Sequence, residues 1–234
     1  MISAASVAVD WSPRDRVGTL VLVPPHPPTD EVAADRAVTP PAALRKLIAG
    51  NRRFLAGRTD GGRPGGRRTL PAPEPFALVV TCLDGGLAAE SLFDAGYGDL
   101  CVVRSAGHVL DRGATASVEL AVATLGVALV MVLGHEHCAA VRYAVDTDAP
   151  TGDLAYLVDE VRPAVAAADR AVDGGHHRHE RGTDRYDRVM RHHVAGTVAR
   201  VGALPAVREG LDAGTLWLVG ARHDRTHGRV RLIA

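Results

Sequence analysis

The chain is short of several residue types, and each shortage closes off a class of function. Lysine occurs once, at Lys46, among 27 basic residues. That position is far in sequence from the motif region, so Schiff-base chemistry is not expected. Basic and acidic residues number 27 each, and the formal net charge is zero. A dedicated nucleic-acid binder would carry a basic excess, so no nucleic-acid partner is expected. Long apolar runs are also lacking. Thr19–Val23 (TLVLV) is too short to span a bilayer, and Leu120–Gly134 is interrupted by Gly126 and reads as helix, turn and strand. No membrane partner is expected, and the N-terminus lacks the basic and apolar segments of a secretory signal. Three cysteines, Cys82, Cys101 and Cys138, cannot pair completely. The expectation is a reducing cytoplasm, where cysteines serve metals or catalysis more often than disulfides.

What is present is ordinary globular material. In 234 residues, 47% are hydrophobic and 23% charged, enough for one domain with a sizeable core. Residues 1–40 contain VPPHPPTDE and TPP, a proline density that breaks helices and central strands. They read as an extension with one short strand at Thr19–Val23, leaving residues 41–234 as a single domain. From Pro41 the spacing of Ala43, Leu44, Leu47, Ile48 and Phe54 predicts a helix. The basic, glycine-rich RTDGGRPGGRR (residues 58–68) reads as a solvated loop.

Strands and helices then alternate. Strands are expected at Ala77–Thr81, Leu100–Val103 and Ala128–Leu133, with helices at Ala88–Ala95, Ala114–Leu125, Ala139–Val145 and Leu154–Val172. A further helix is expected around Val189–Val201. Thr215–Gly220 and Arg229–Ile233 read as strands separated by a loop, ARHDRTHG. The runs ALVV and ALVMVL are apolar at every position, as in a strand covered on both faces. The fold class is therefore α/β, with a mostly parallel central sheet flanked by helices and an added C-terminal strand.

Two of these strands end in metal-binding residue types. The first gives Cys82 and Asp84, and the other gives His135 and Cys138 in GHEHC. Ligands in open parallel sheets bind beyond the carboxyl ends of the strands, so neighbouring strands would bring both sets to one rim. Two thiolates and one imidazole suit Zn2+, leave one coordination position for water, and lower the pKa of that water to about 7. The residues alone also fit a buried apolar cysteine at position 82 or a Cys82–Cys138 disulfide. Cys101 reads as a core residue, and His137 as pointing away from the metal.

The chain from Ala43 to Leu232 resembles the beta-class carbonic anhydrases. CLDGG matches the family's Cys-x-Asp-x-Arg segment, and LFDAGYGDLCVVRSAGHVLD its Val-Arg-Asn-Ala-Gly-Asn stretch. SVELAVATLGVALVMVLGHEHCAAV matches Gly-His-x-x-Cys-Gly-Ala and what precedes it, and GTLWLVGARHDRTHGRVRLI the C-terminal strand, turn and strand. The resemblance implies that Cys82, His135 and Cys138 hold zinc, that carbon dioxide is reversibly hydrated to bicarbonate, and that the protein is a homodimer or larger homo-oligomer. It also implies a catalytic role for Asp84. In the family, the Arg two residues after the Asp holds its carboxylate away from zinc.

Two departures stand out. The Arg position is Gly86, following Gly85, and the glutamine expected before the first strand is absent from PAPEPF (residues 71–76). Asp84 would then either close the zinc shell or be restrained by another group, for which Arg104, His108 and Arg142 are candidates. Vacated volume beside the metal would also suit a larger substrate, and a closed shell would suit a non-catalytic zinc-binding scaffold. A Gly86→Arg substitution is the expected discriminator. His108, where the family has Asn, is the candidate proton shuttle. His176, His177 and His179 in the loop at residues 174–180, and the pair His192 and His193, read as an exposed tract and a helix start.

Overall fold

A computed structural model describes residues 38–59, 73–86, 88–173 and 185–233. Residues 1–37 of the extension, with its expected strand at Thr19–Val23, most of the glycine-rich loop and the His-rich tract lie outside the described residues. Among the described residues the strands are β1 (Ala77–Cys82), β2 (Leu100–Ser105), β3 (Leu129–His135), β4 (Trp217–Asp224) and β5 (Arg229–Leu232). They form one sheet in the order β2-β1-β3-β4-β5, parallel except for the final β4–β5 pair. Every residue of β1 and β3 is buried, as the apolar runs Ala77–Val80 and Leu129–Leu133 require of strands covered on both faces.

Alternation along these strands makes two core layers. Leu78, Val80, Val130 and Val132 face a layer with Val118 and Val122 of α3 (Arg112–Ala123) and Val141 of α4 (Ala139–Asp146). Val158 and Val161 of α5 (Asp153–Asp173) and Val189 and Val194 of α6 (Arg185–Gly202) complete it. Ala77, Val79, Leu129 and Met131 face the other layer, built from Ala43 and Leu47 of α1 (Pro40–Leu55) and Leu92 of the short α2 (Ala89–Leu92). Buried Asn51 clamps this second layer. Its Nδ2 donates to the carbonyl oxygens of Leu92 and Gly228 at 3.2 and 3.0 Å, and its Oδ1 accepts from Val230 N–H at 3.1 Å.

Three sequence expectations change. Helix α7 (Pro205–Asp212), with proline in its first turn, was not anticipated. Strand β4 does not end at Gly220 but runs to Asp224, because Ala221–Asp224 pairs with β5 on one side while Gly134 and His135 pair with Arg222 and His223 on the other. Polar residues hid this extension. Cys101 is only partly buried, packed against the first layer from β2, which among the described residues pairs with β1 alone.

Candidate metal centre

Strands β1 and β3 are parallel neighbours, so their carboxyl ends lie side by side. Cys82 is the last residue of β1, His135 is the last of β3, and Cys138 caps α4 three residues later. Register therefore brings together residues more than fifty positions apart. One ligand atom from each of Cys82, Asp84, His135 and Cys138 lies within 4.8 Å of the others. The two Sγ atoms are 3.7 Å apart, far beyond the about 2.05 Å of a disulfide. Two sulfurs held tetrahedrally at the usual zinc distance would be about 3.8 Å apart.

The donor chemistry calls for a cation. His135 Nδ1 faces the Glu136 carbonyl oxygen at 2.8 Å, and only its N–H can satisfy that contact. In the neutral ring this leaves the lone pair of Nε2 aimed at Asp84 Oδ1, 2.9 Å away. The same Oδ1 lies 2.8 Å from Cys82 Sγ and 3.9 Å from Cys138 Sγ. Four electron-rich atoms converge here, and either shared protons or a metal ion must separate them.

Without a metal, the protons sort unevenly. The Cys138 thiol donates to Cys82, which, against the opposing effect of burial, holds the Cys82 thiol down to about 5. The same contact, together with burial, pushes Cys138 up. Burial disfavours a charged His135, but the sulfur of Cys82, the Glu136 carbonyl and the carboxylate of Asp84 outweigh it and raise its pKa. Burial likewise opposes ionisation of Asp84 and is outweighed by Cys82, the Ala139 N–H and His135, which lower its pKa. A low-pKa thiolate beside a buried imidazole and a second sulfur is the donor set that zinc favours.

The backbone supports the cluster from several sides. Gly107 N–H donates to Cys82 Sγ at 3.1 Å, and Gly107 O accepts from buried His193 Nε2 at 2.7 Å. His108, at φ 47°, occupies the left-handed region that His and Asn tolerate better than most residues. Its ring stacks on His193 at 4.4 Å between centroids, and its Nδ1 contacts Thr197 Oγ1 at 3.2 Å. Burial lowers the pKa of both rings, so both are neutral near pH 7. Sequence reasoning passed over Gly107, and it read His193 as part of a helix start. Neither carries a motif, because a path from α6 through Gly107 to Cys82 exists only in three dimensions.

None of the three groups considered as restraints on Asp84 touches it. Arg104 donates instead to the carbonyl oxygens of Cys82 and Leu83, at 3.2 Å from Nη2 to each. Arg142 lies 5.3 Å over the ring of Tyr186, and His108 is engaged with Thr197 and His193. Asp84 Oδ2 accepts from Ala139 N–H at 2.9 Å. Ala139 is the first residue of α4, where the helix dipole favours a carboxylate. His137 is exposed, as expected.

The glycines do not leave a wide pocket. A β-carbon on Gly86 would lie 3.4 Å from both Nε and Nη2 of Arg225, so a guanidinium from the β4–β5 turn already stands there. Gly86 also has φ 83°, which strains any side chain, so Gly86→Arg is not a clean restoration. Beside Gly85, a cavity of about 10 Å³ is lined by Thr81, Ala89, Leu92, Leu133, His135 and His223, room for about one water.

Similarity to known proteins agrees with this geometry. The family pattern described as carbonic anhydrase matches residues 77–230. The carbonic anhydrase of Mycolicibacterium smegmatis is 37% identical over 201 residues, covering 82% of this chain and 93% of that protein. Carbonic anhydrase 2 of Mycobacterium tuberculosis is also 37% identical, covering 82% of this chain and 92% of its own length. A tetrameric beta-carbonic anhydrase from Sordaria macrospora superposes with a TM-score of 0.63 at 20% identity, covering 83% of this chain and 92% of that one. This chain belongs to the carbonic anhydrase family and has the beta-class fold. Among the described residues, no helix is long and apolar enough to cross a membrane.

Proposed function

We propose that the protein is a zinc-dependent carbonic anhydrase: a lyase that combines carbon dioxide with water to give bicarbonate and a proton, and runs the reverse reaction. The observation carrying this reading is the meeting of Cys82 Sγ, Cys138 Sγ and His135 Nε2 at the joined ends of β1 and β3, with Asp84 Oδ1 between them. Cys82, His135 and Cys138 would hold the ion, and zinc, when bound, supplies the Lewis acidity that makes an oxygen nucleophile available near neutral pH.

The chain's own residues do the rest. Asp84 is the acceptor that orients the O–H of the attacking water; in the structure its Oδ1 faces the cluster and its Oδ2 accepts from the Ala139 N–H. Gly107 N–H holds the sulfur of Cys82, and His193 holds Gly107. His108 is almost fully buried, at 1% exposure. Its role is to pack and orient this support rather than to relay protons to solvent. The proton leaves through buffer at the rim where Asp84 is partly exposed.

The water-sized space beside Gly85 favours a small substrate over the larger one that the glycines suggested. Residues 41–234 are read as one catalytic domain in a reducing, cytoplasmic setting, where Cys82 and Cys138 remain available to metal. Exposed Leu83, Leu120, Leu154 and Tyr156 support assembly into a homodimer or larger oligomer. Stopped-flow measurement of carbon dioxide hydration on zinc-loaded protein tests the activity. Acceleration over buffer is expected, lost in Cys138→Ser along with the metal; a rate equal to buffer overturns the reading.

A further inference from the structure

Asp84 sits inside the ligand cluster, yet the reaction proposed above needs its carboxylate off the metal for part of the time. Something must compete for it. The arginines around this rim are mostly committed. Arg104 is spent on the backbone of Cys82 and Leu83, and Arg142 lies on Tyr186. Arg222 pairs with Glu136, and with Asp187 at 2.6 Å. Arg225 is different. Among the described residues its guanidinium makes no hydrogen bond or ion pair, and it lies over Gly86, two residues beyond Asp84.

The position of Arg225 is built rather than incidental. Its backbone N–H donates to Glu136 Oε2 at 3.1 Å, and Glu136 directly follows His135. The turn is closed by Asp224, whose Oδ1 accepts from Thr226 N–H and His227 N–H at 3.0 Å each, with Oδ2 2.8 Å from His227 Nδ1. Strand register ties the same turn to the site, since His223 pairs with His135. A β-carbon at Gly86 would just touch the guanidinium, so a longer side chain there would compete with Arg225 for the space, and the φ of 83° gives the turn a conformation that other residues resist.

We propose that Arg225 is the positioning residue for Asp84: a guanidinium delivered from the β4–β5 turn, across Gly86, that draws the carboxylate out of the ligand cluster by a charge-assisted hydrogen bond. Asp84 then has two seats, one among Cys82, His135 and Cys138 and one on Arg225, and the occupancy of the second sets how often the fourth position is open.

The proposal rests on the zinc reading, and the experiment separates the two. Zinc stoichiometry and affinity are measured by chelator competition for the wild type, Arg225→Gln, Asp84→Asn and the double variant. If the wild type binds no zinc, the metal reading fails first. If it binds, Arg225→Gln is expected to tighten zinc about tenfold, because Asp84 then stays in the shell. In the Asp84→Asn background the same change should have less than about a twofold effect. Catalytically, Arg225→Gln should lower kcat with KM nearly unchanged, and Arg225→Lys, a point charge without the fork, should fall between. Equal tightening in both backgrounds would mean that Arg225 acts only through its field. A rise in KM alone would mean that it binds product. Either result, or no tightening, overturns the proposal.

Discussion

Gly134 immediately precedes His135, and its environment predicts a sharp response to a single methyl group. A β-carbon at this position would lie 2.5 Å from Met190 Sδ and 2.6 Å from Val194 Cγ2, both buried on α6. Ordinary contact between such atoms is about 3.5–4.0 Å, so each overlap is on the order of 1 Å. The two neighbours are not equally able to yield. Met190 is unbranched and can rotate its sulfur away. Val194 is β-branched, has one strongly preferred helical rotamer, and is fully buried. Relief must therefore come from separating α6 and β3, at a cost of about 1–3 kcal/mol. That is a large fraction of the about 5–15 kcal/mol that stabilises a typical domain.

The check is urea denaturation of Gly134→Ala, Val194→Ala and the double variant at one fixed protein concentration. Gly134→Ala should lower the midpoint. The double variant should be less destabilised than the sum of the singles by about 1 kcal/mol, because Val194→Ala removes one of the two obstructing atoms. An unchanged midpoint, or strictly additive singles, would refute the packing argument. The displacement of β3 should also weaken zinc binding through His135, a second readout independent of stability.

Other consequences follow from the same contacts. Burial, aided by the nearby His135 and Arg225, holds the His223 pKa down to about 4 against the usual 6.5. Between these values the unfolded chain binds a proton that the folded chain refuses, so acidification from pH 6.5 to 4 destabilises the fold. The contribution is on the order of 3 kcal/mol, and the pH dependence of the urea midpoint should be shallower in His223→Gln. Arg104→Ala removes the guanidinium that ties the carbonyl oxygens of Cys82 and Leu83; chelator competition should show zinc affinity falling about tenfold or more. Gly50→Ala places a β-carbon 1.6 Å from the backbone oxygen of Phe93, which has no rotamer to yield. The cost should be about 3 kcal/mol or more, at the upper end of overpacking costs, so its urea midpoint should fall further than that of Gly134→Ala.

The sequence alone determined the parts governed by local pattern. Uninterrupted apolar runs marked β1 and β3 as buried parallel strands, and chemistry-bearing residues at their ends marked the rim where a metal would be held. Helical spacing located α1 and α3 to α6 to within a few residues. Resemblance to a family then joined Cys82 to His135 and Cys138, a pairing that no local rule supplies.

Tertiary structure decided what depends on register and approach. The polar segment Ala221–Asp224 is strand only because two neighbours complete its hydrogen bonds. His193 reaches Cys82 only through Gly107. The gap at Gly86 looked like lost function on paper, yet in space it is the opening through which Arg225 approaches the turn after Asp84. A sequence lists side chains in order, whereas sheet register brings the Arg225 guanidinium beside Gly86 across some 140 residues of chain.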